Sequence, residues 1–304
     1  MKVISVIVTS NRLELLKKCV YSVINQSYKP FKVIVIDNDS KDGTNNYLSE
    51  QNGISFLTQE NSGASGGFYT GIKMAFRENP DWVWCLDDDG IPNHDALEKF
   101  VEFISEQKST ENLGFIAGKV LWIDGTLHTM NLPVIYNSTG NYDSDREKIA
   151  NEIVRIKSAS YVNLFLSRKF ISEKGYPDKR LFIWSDDTEY TMRGQDYINF
   201  SVPGVIAVHH TKENTGAVFS FAKNQNKVKL YFGLRNFILI YKKSDKILVF
   251  VFLRRLLKIF LIELFTMRVS ISNILVSCIA IFNGFTGRYI VPQMIENEIN
   301  PNRH

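Results

Sequence analysis

The sequence predicts an α/β protein with a mostly parallel sheet flanked by helices, followed by a C-terminal helical region. Three observations carry that prediction. Over the first hundred residues, β-branched runs alternate with helical stretches about 20–30 residues apart, the rhythm of right-handed βαβ crossovers. Each polar cluster there (9–12, 37–39, 61–67 and 87–89) directly follows a strand run. Strand carboxyl ends in a parallel sheet share one edge, where ligands bind. After about Ser220 the composition turns basic and aromatic, then strongly apolar.

The elements follow in order. "KVISVIVTS" (2–10) is a strand and residues 13–26 a helix. "FKVIVIDND" (31–39) is a second strand, closed by the polar turn "DNDSKDGT". A short helix at 44–51 leads to a third strand, "ISFLTQ" (54–59). The glycine-rich "ENSGASGGFYTGI" precedes a helix running to about Arg77, and "WVWCLD" is the fourth strand. Further on, "LGFIAGKVLWIDG" reads as one or two strands and 133–152 as a polar loop. "YVNLFLSRKFI" reads as a buried strand entering a helix, "KRLFIWSDDTEYTMR" as a strand ending in acid, and "FSVPGVIAVHHTK" as a strand closed by two histidines. The expected domains are 1–220, with halves at about 1–110 and about 111–220, and a basic and apolar helical region at 221–304.

Composition narrows the function. With 304 residues, 22% charged and 44% hydrophobic, the chain is an ordinary globular one. Its net charge of +4 suits an anionic lipid or a phosphorylated ligand. There is no basic stripe with interleaved aromatics, so nucleic acid is not an expected partner. Cys19, Cys85 and Cys278 are far apart in apolar sequence and read as buried thiols in a reducing compartment; they do not support a zinc site. The start, "MKVISVIVTSNR", alternates like a strand and does not resemble a signal peptide, which leads us to expect a cytoplasmic protein.

The C-terminal region lacks a run of about 20 cleanly apolar residues, so no spanning helix is expected. On a helical wheel Lys243, Lys246, Arg254, Arg255, Lys258 and Arg268 share one half, with Ile247 and Val251 intruding. That pattern fits a helix lying on the inner membrane surface, or a buried interface of a homo-oligomer.

The chemistry centres on "WVWCLDDDGIP". Three adjacent carboxylates repel unless a cation sits among them. At a strand end Asp87 and Asp89 share a face and Asp88 points elsewhere. Two hard carboxylates with open positions suit Mg2+ or Mn2+ holding a diphosphate. His209 or His210, ending a later strand, would add an imidazole and favour manganese over calcium. In "FIWSDDTEY", Asp186, Asp187 and Glu189 open a helix, and Asp187 reads either as a general base or as a helix cap. "NSGASGGF" follows the third strand, not the first, which excludes a dinucleotide fingerprint; its glycines would let backbone approach a phosphate or sugar.

With those motifs in place, the chain resembles the family 2 inverting glycosyltransferases of the GT-A fold. The resemblance is closest over residues 2–95, through "VIVTSNRLELLKKCVYSVINQSYKPFKVIVIDNDSKDGT" and "WCLDDDGIP", and returns over 160–212. "ENSGASGGFYTGI", "FIWSDDTEY" and the late histidine are similar to the galactofuranosyltransferases and rhamnosyltransferases of bacterial surface polysaccharide assembly. The resemblance implies that Thr9, Arg12, Asp37, Asn38 and Asp88 hold the nucleotide. Asn61, Gly66 and Gly67 then line the donor sugar, and Asp87, Asp89 and His209 bind Mn2+ or Mg2+. Asp187, or its neighbour Asp186, acts as base. The family commonly has aspartate where Asn38 stands, so uracil and thymine both remain open. A nucleotide-sugar donor and a glycan or lipid-linked acceptor are the implied partners. Galactofuranose from a UDP donor is the first expectation and rhamnose from a dTDP donor the alternative. A non-catalytic scaffold is the alternative of another class. A nucleotidyltransferase would prefer glycines after the first strand, and "TSNRLELL" has none.

Overall fold

Seven consecutive buried residues, Val3–Thr9, form β1. An apolar run without alternation is what a strand covered on both faces needs. In the computed structural model, which describes residues 1–138, 140–216 and 219–299, β1 pairs in parallel with β2 (Lys32–Asn38) and β4 (Trp82–Asp87). β3 (Ile54–Gln59) lies parallel outside β2. On the other side β9 (Leu164–Ser167) is inserted antiparallel between β4 and β6 (Leu113–Trp122), and β10 (Ile198–His209) runs parallel to β6. The short β5 (Gly90–Pro92), β7 (Val134–Ile135) and β8 (Val154–Ser158) complete the sheet. Its principal strands, β1–β4, β6 and β10, all run one way, so their carboxyl ends meet at one edge as the sequence predicts.

The chain divides into two units: residues 1–179 with 187–216, and residues 180–186 with 219–299. Residues 139, 217–218 and 300–304 of the expected domains lie outside the described residues.

In the first unit both sheet faces are covered. Val83 and Cys85 of β4 join one core with Phe68, Ile72, Phe115 and Phe170. Trp82, Trp84 and Leu86 join another with Leu16, Val20, Phe100 and Phe165. The strand period of two thus divides β4 between two cores. The helices are α1 (Leu13–Ile24), α2 (Thr44–Ser49), α3 (Gly63–Arg77), α4 (Ala96–Ser105), α5 (Tyr142–Asn151), α6 (Arg168–Lys174) and α7 (Asp186–Met192), the last beginning at the unit boundary.

Two expectations change. Residues 142–151 form a helix within the region read as loop, capped by Asn141, whose side chain accepts from the amides of Asp143 and Ser144. Only Ile149 of α5 is buried, so these residues carry no apolar period. "FIW" is not a strand: Phe182, Trp184 and Ser185 have φ near +65° (66°, 65° and 63°), a conformation no strand allows. Asn236 takes over the role of a sheet neighbour there. Its Nδ2 donates to the carbonyls of Leu181, Ile183 and Trp184 at 2.9, 3.1 and 2.8 Å.

That contact belongs to the second unit, where α8 (Lys227–Ser244), α9 (Lys246–Phe265), α10 (Ile271–Thr286) and α11 (Gln293–Ile299) surround a separate core that includes Leu230, Phe232, Leu256 and Val276. Asp245 separates α8 from α9 and Arg268 lies beyond α9, so the six basic residues do not share one continuous helix. Cys278, expected to be buried like Cys19 and Cys85, is exposed, because it is not on the buried side of α10. No helix among the described residues is long and apolar enough to cross a membrane.

α3 lies close against β1 because its glycines have no Cβ. A Cβ on Gly67 would stand 2.4 Å from Val8 Cγ1, and one on Gly71 would stand 2.4 Å from Val6 Cγ1. Gly67→Ala should therefore destabilise the protein by about 1–3 kcal/mol through overpacking. Urea denaturation checks this; an unchanged midpoint would mean that α3 can back away freely.

Candidate active site

Three strand registers assemble the site. Val8 of β1 lies beside Asp87, and Thr9 beside Asp37. His209 at the end of β10 pairs across from Gly90 of β5, and the Asp89 carbonyl accepts from the His210 amide at 2.8 Å. β4 thus ends at Asp87, the chain turns through Asp88 and Asp89, and β5 ties that turn to the late histidine.

The side chains then converge. Asp87, Asp89 and His209 each offer a ligand atom, all within 4.8 Å of one another. Asp89 Oδ1 is 3.0 Å from His209 Nε2. Asp88 turns the other way, accepting from Thr9 Oγ1 at 2.7 Å and from Arg12 Nη1 at 3.2 Å. Arg12 also pairs with Asp89. It occupies the N-cap position of α1, and Asp42 accepts from the amide of the next residue, Leu13, at 2.9 Å. The loops after β1 and β2 are latched further: the Asn11 amide donates to Ser40 Oγ, and the Lys41 amide to Asn11 Oδ1.

Burial and like charge shape the acids. Burial, then the neighbouring Asp89, pushes Asp87 up to about 7. Burial raises Asp88 to about 6 against the pull of Arg12. Asp89 also meets a burial penalty, yet its contact with His209 and the charge of Arg12 leave it below the usual range. The corner holds more carboxylate than its own cations can neutralise. Two carboxylates and one imidazole form a donor set that fits Mn2+ or Mg2+.

The other expected residues are distributed as follows. Asp37, fully buried, accepts from the Ser40 amide at 3.0 Å and from Thr58 Oγ1 at 3.2 Å. Asn38 donates to the Gly63 carbonyl at 2.9 Å and accepts from Gln59 at 2.8 Å, so its amide ties the start of α3 to the end of β3. Asn61 accepts from the Gly63 amide at 3.1 Å. Gly66 and Gly67 lie inside α3, not in a loop before it; a Cβ on Gly66 would strike Ser62 Oγ at 2.1 Å. Asp187 stands outside the metal-type cluster, in the first turn of α7. Its Oδ1 accepts from the Thr188 amide at 2.6 Å, and burial raises its pKa. Asp186 opens the same helix and is buried. His210 lines a separate cavity of about 470 Å³ with Lys17, Lys18, Tyr21, Ser22 and Ile91.

Two residues escaped sequence reasoning. Asn131 Oδ1 is 2.7 Å from His209 Nδ1, and the buried His128 ring lies 4.5 Å from the His209 ring. His128 Nε2 is 2.9 Å from Thr211 Oγ1, and burial lowers its pKa to about 4. Asking where each of the five histidines goes would have raised His128. Asn131, in "HTMN", offers no signal at all.

With this geometry in hand, comparison with known proteins is informative. Residues 5–156 match the family model "Glycosyl transferase family 2", half of the chain. The chain belongs to the family 2 glycosyltransferases, and its sheet and flanking helices have the GT-A fold. It is 26% identical over 198 residues to the galactofuranosyltransferase GlfT1 of Mycolicibacterium smegmatis, covering 63% of this chain and 64% of that protein. It thus spans a little under two thirds of that relative's length. Residues 1–349 of S. aureus TarS, solved with UDP-GlcNAc, superpose with a TM-score of 0.55 at 16% identity, over 81% of this chain and 68% of that one. GalNAc-T7, solved with UDP, GalNAc and Mn2+, superposes with a TM-score of 0.56 at 16% identity, over 80% and 48%.

Proposed function

We propose that the chain is an inverting glycosyltransferase that moves galactofuranose from UDP-galactofuranose onto a growing surface polysaccharide or a lipid-linked glycan. The observation that carries the transfer chemistry is the cluster of Asp87, Asp89 and His209 at the carboxyl edge of the sheet, beside Thr9, Arg12 and Asp37. The choice of sugar is supported by the likeness to the mycobacterial galactofuranosyltransferase.

Thr9, Arg12, Asp37, Asn38 and Asp88 hold the nucleoside diphosphate side of the donor, while Asn61 at the mouth of α3, with Gly66 and Gly67 behind it, borders the sugar. Asp87, Asp89 and His209 hold Mn2+ or Mg2+, which when bound offsets the charge of the diphosphate. Asp187 takes the proton from the acceptor hydroxyl, or Asp186 does so in its place. The acceptor oxygen forms the new bond to the anomeric carbon as the bond to the diphosphate oxygen breaks, inverting that centre. Residues 1–220 supply this chemistry, nucleotide binding falling within about 1–110. Residues 221–304 bring the protein to the inner face of the cytoplasmic membrane.

The test is release of nucleotide from a donor panel with manganese present. UDP-galactofuranose should be consumed by the native protein and spared by Asp89→Ala. Turnover of dTDP-rhamnose alone would move the reading to a rhamnosyltransferase, and turnover of no donor would leave a scaffold. Activity that survives both Asp89→Ala and EDTA would overturn the metal assignment.

A base must be ionised to work, and burial raises the pKa of Asp187. The rate should therefore climb with pH through a value above the ordinary aspartate range. Asp187→Asn should bind donor as before, lose about 100-fold or more in turnover, and lose that limb of the pH profile. An unimpaired Asp187→Asn would shift the role to Asp186 or Glu189.

Membrane association is supported by the exposed side of α9. Ile247, Phe250, Leu261 and Phe265 are exposed there with Arg254, Arg255 and Lys258. The helix's one acid, Glu263, instead accepts from Ser220 Oγ and the Phe221 amide. Apolar and basic groups without acids match an anionic bilayer surface, each basic side chain adding about 1 kcal/mol. The protein should sediment with anionic vesicles and resist full displacement by salt, and Arg254→Glu with Lys258→Glu should release it. Indifference to vesicles, with a dimer lost in the double variant, would make this face an oligomer interface.

A further inference from the structure

We propose that Asn131 is a positioning residue that fixes the tautomer of His209, so that Nε2 presents a lone pair to the cation held by Asp87 and Asp89. The inference rests on the metal-site reading above and concerns a residue that touches neither donor nor acceptor in that reading.

The Asn131 amide has two chemically distinct ends. Asn131 Nδ2 donates to Ser160 Oγ at 2.8 Å, which turns Oδ1 toward His209 Nδ1 at 2.7 Å. A carbonyl oxygen can only accept, so Nδ1 carries the hydrogen. In neutral imidazole the other nitrogen then bears the lone pair. That nitrogen, Nε2, faces Asp89 Oδ1 at 3.0 Å. A lone pair and a carboxylate oxygen at that distance are two donors aimed at one point, the arrangement of a shared cation. Imidazole ligands of metals characteristically donate their other N–H to an oxygen, which sets ring orientation and basicity.

The rest of the segment keeps Asn131 in place. It closes the short helical turn Thr129–Asn131, and its amide donates to the His128 carbonyl at 3.1 Å. The His128 amide donates to the Val120 carbonyl of β6 at 2.9 Å, and the Thr129 amide to Asn214 Oδ1 at 2.8 Å. The His128 ring, itself tied to Thr211, packs against one side of the His209 ring. His209 therefore cannot swing away from Asn131 without displacing a buried neighbour. Each hydrogen bond here joins described residues within the first unit.

The test compares Asn131→Leu with Asn131→Asp. In metal-free protein at pH 8.5, the 15N shifts of His209 should report a single Nδ1–H tautomer in the native protein and in Asn131→Asp. In Asn131→Leu, both tautomers should be populated. Mn2+ titration followed by electron paramagnetic resonance should show about tenfold or greater weakening in Asn131→Leu, and near-native or tighter binding in Asn131→Asp, whose carboxylate still accepts from Nδ1–H. If Asn131→Leu does not fold, Ser160→Ala, which frees the amide to rotate, should give the same mixture of tautomers. Unchanged tautomer and Mn2+ affinity in the folded variant would overturn the proposal, as would a native protein whose Nε2 carries the hydrogen. A native protein that holds the Nδ1–H tautomer yet binds no Mn2+ would instead sink the metal reading and leave the positioning role standing.

Discussion

Three carboxylates in a buried turn are the constraint around which the first unit is organised. Asp88 and Asp89 are 4% and 3% exposed, and adjacent acids so far from water repel strongly. The fold surrounds them with the few groups that can tolerate them. Thr9 reaches in from β1, Arg12 from the start of α1, and His209 from the end of β10. Each comes from a different element, so the turn has this environment only when β1 is in register with β4 and β10 with β5. The latch of Asn11, Ser40, Lys41 and Asp42 between the first two loops is then no ornament: it fixes the point from which Arg12 enters. The corner nevertheless sets three acids against Arg12 and His209, and burial first of all pushes Asp87 and Asp88 up. This concentration of acid is what supports the proposed cation there.

How much of this could be read from the sequence depended on whether the cause was local. β1, β2 and β4 were legible because burial on both faces produces continuous apolar runs. The acid turn was legible because three like charges in a row demand an explanation. Residues 182–185 misled because "LFIW" is as apolar as a strand, but the carbonyls of Ile183 and Trp184 are satisfied by Asn236, 53 and 52 residues later in the chain. α5 was hidden for the opposite reason: one buried side chain in ten residues leaves no period, and the helix is signalled only by its cap. Asn131 acts on His209 across 78 positions of sequence, and nothing within its own neighbourhood marks it.

The glycine-rich segment teaches a related point about motifs. Glycines before a helix suggest backbone held open for a ligand, and that was the reason for singling out Gly66 and Gly67. Both lie within α3, where the space a Cβ would fill already belongs to Ser62 and Val8. Close approach of helix to sheet is sufficient to require them. Packing and ligand access are not exclusive, however. By drawing α3 against β1, Gly67 and Gly71 bring its N-terminus, with Asn61 and the Asn38–Gly63 contact, to the same edge as Thr9 and Asp37.

The two groups assigned to opposite ends of the proposed reaction share a support. Thr191 of α7 donates to the Asp187 carbonyl at 2.7 Å and accepts from the Ala159 amide at 3.2 Å, so the first turn of that helix hangs from residue 159. The next residue, Ser160, accepts from Asn131, which holds His209. Residues 159 and 160 follow β8 directly, and β8 pairs with β10, the strand that ends in His209. The proposed base and the proposed imidazole ligand are therefore referred to one short piece of backbone, although they are 22 residues apart in sequence and belong to different elements. Transfer with inversion requires the acceptor oxygen and the leaving oxygen to lie on opposite sides of one carbon, and small displacements of either are costly to rate. A common anchor meets that demand better than two independent ones, because a shift of residues 159–160 carries both groups together.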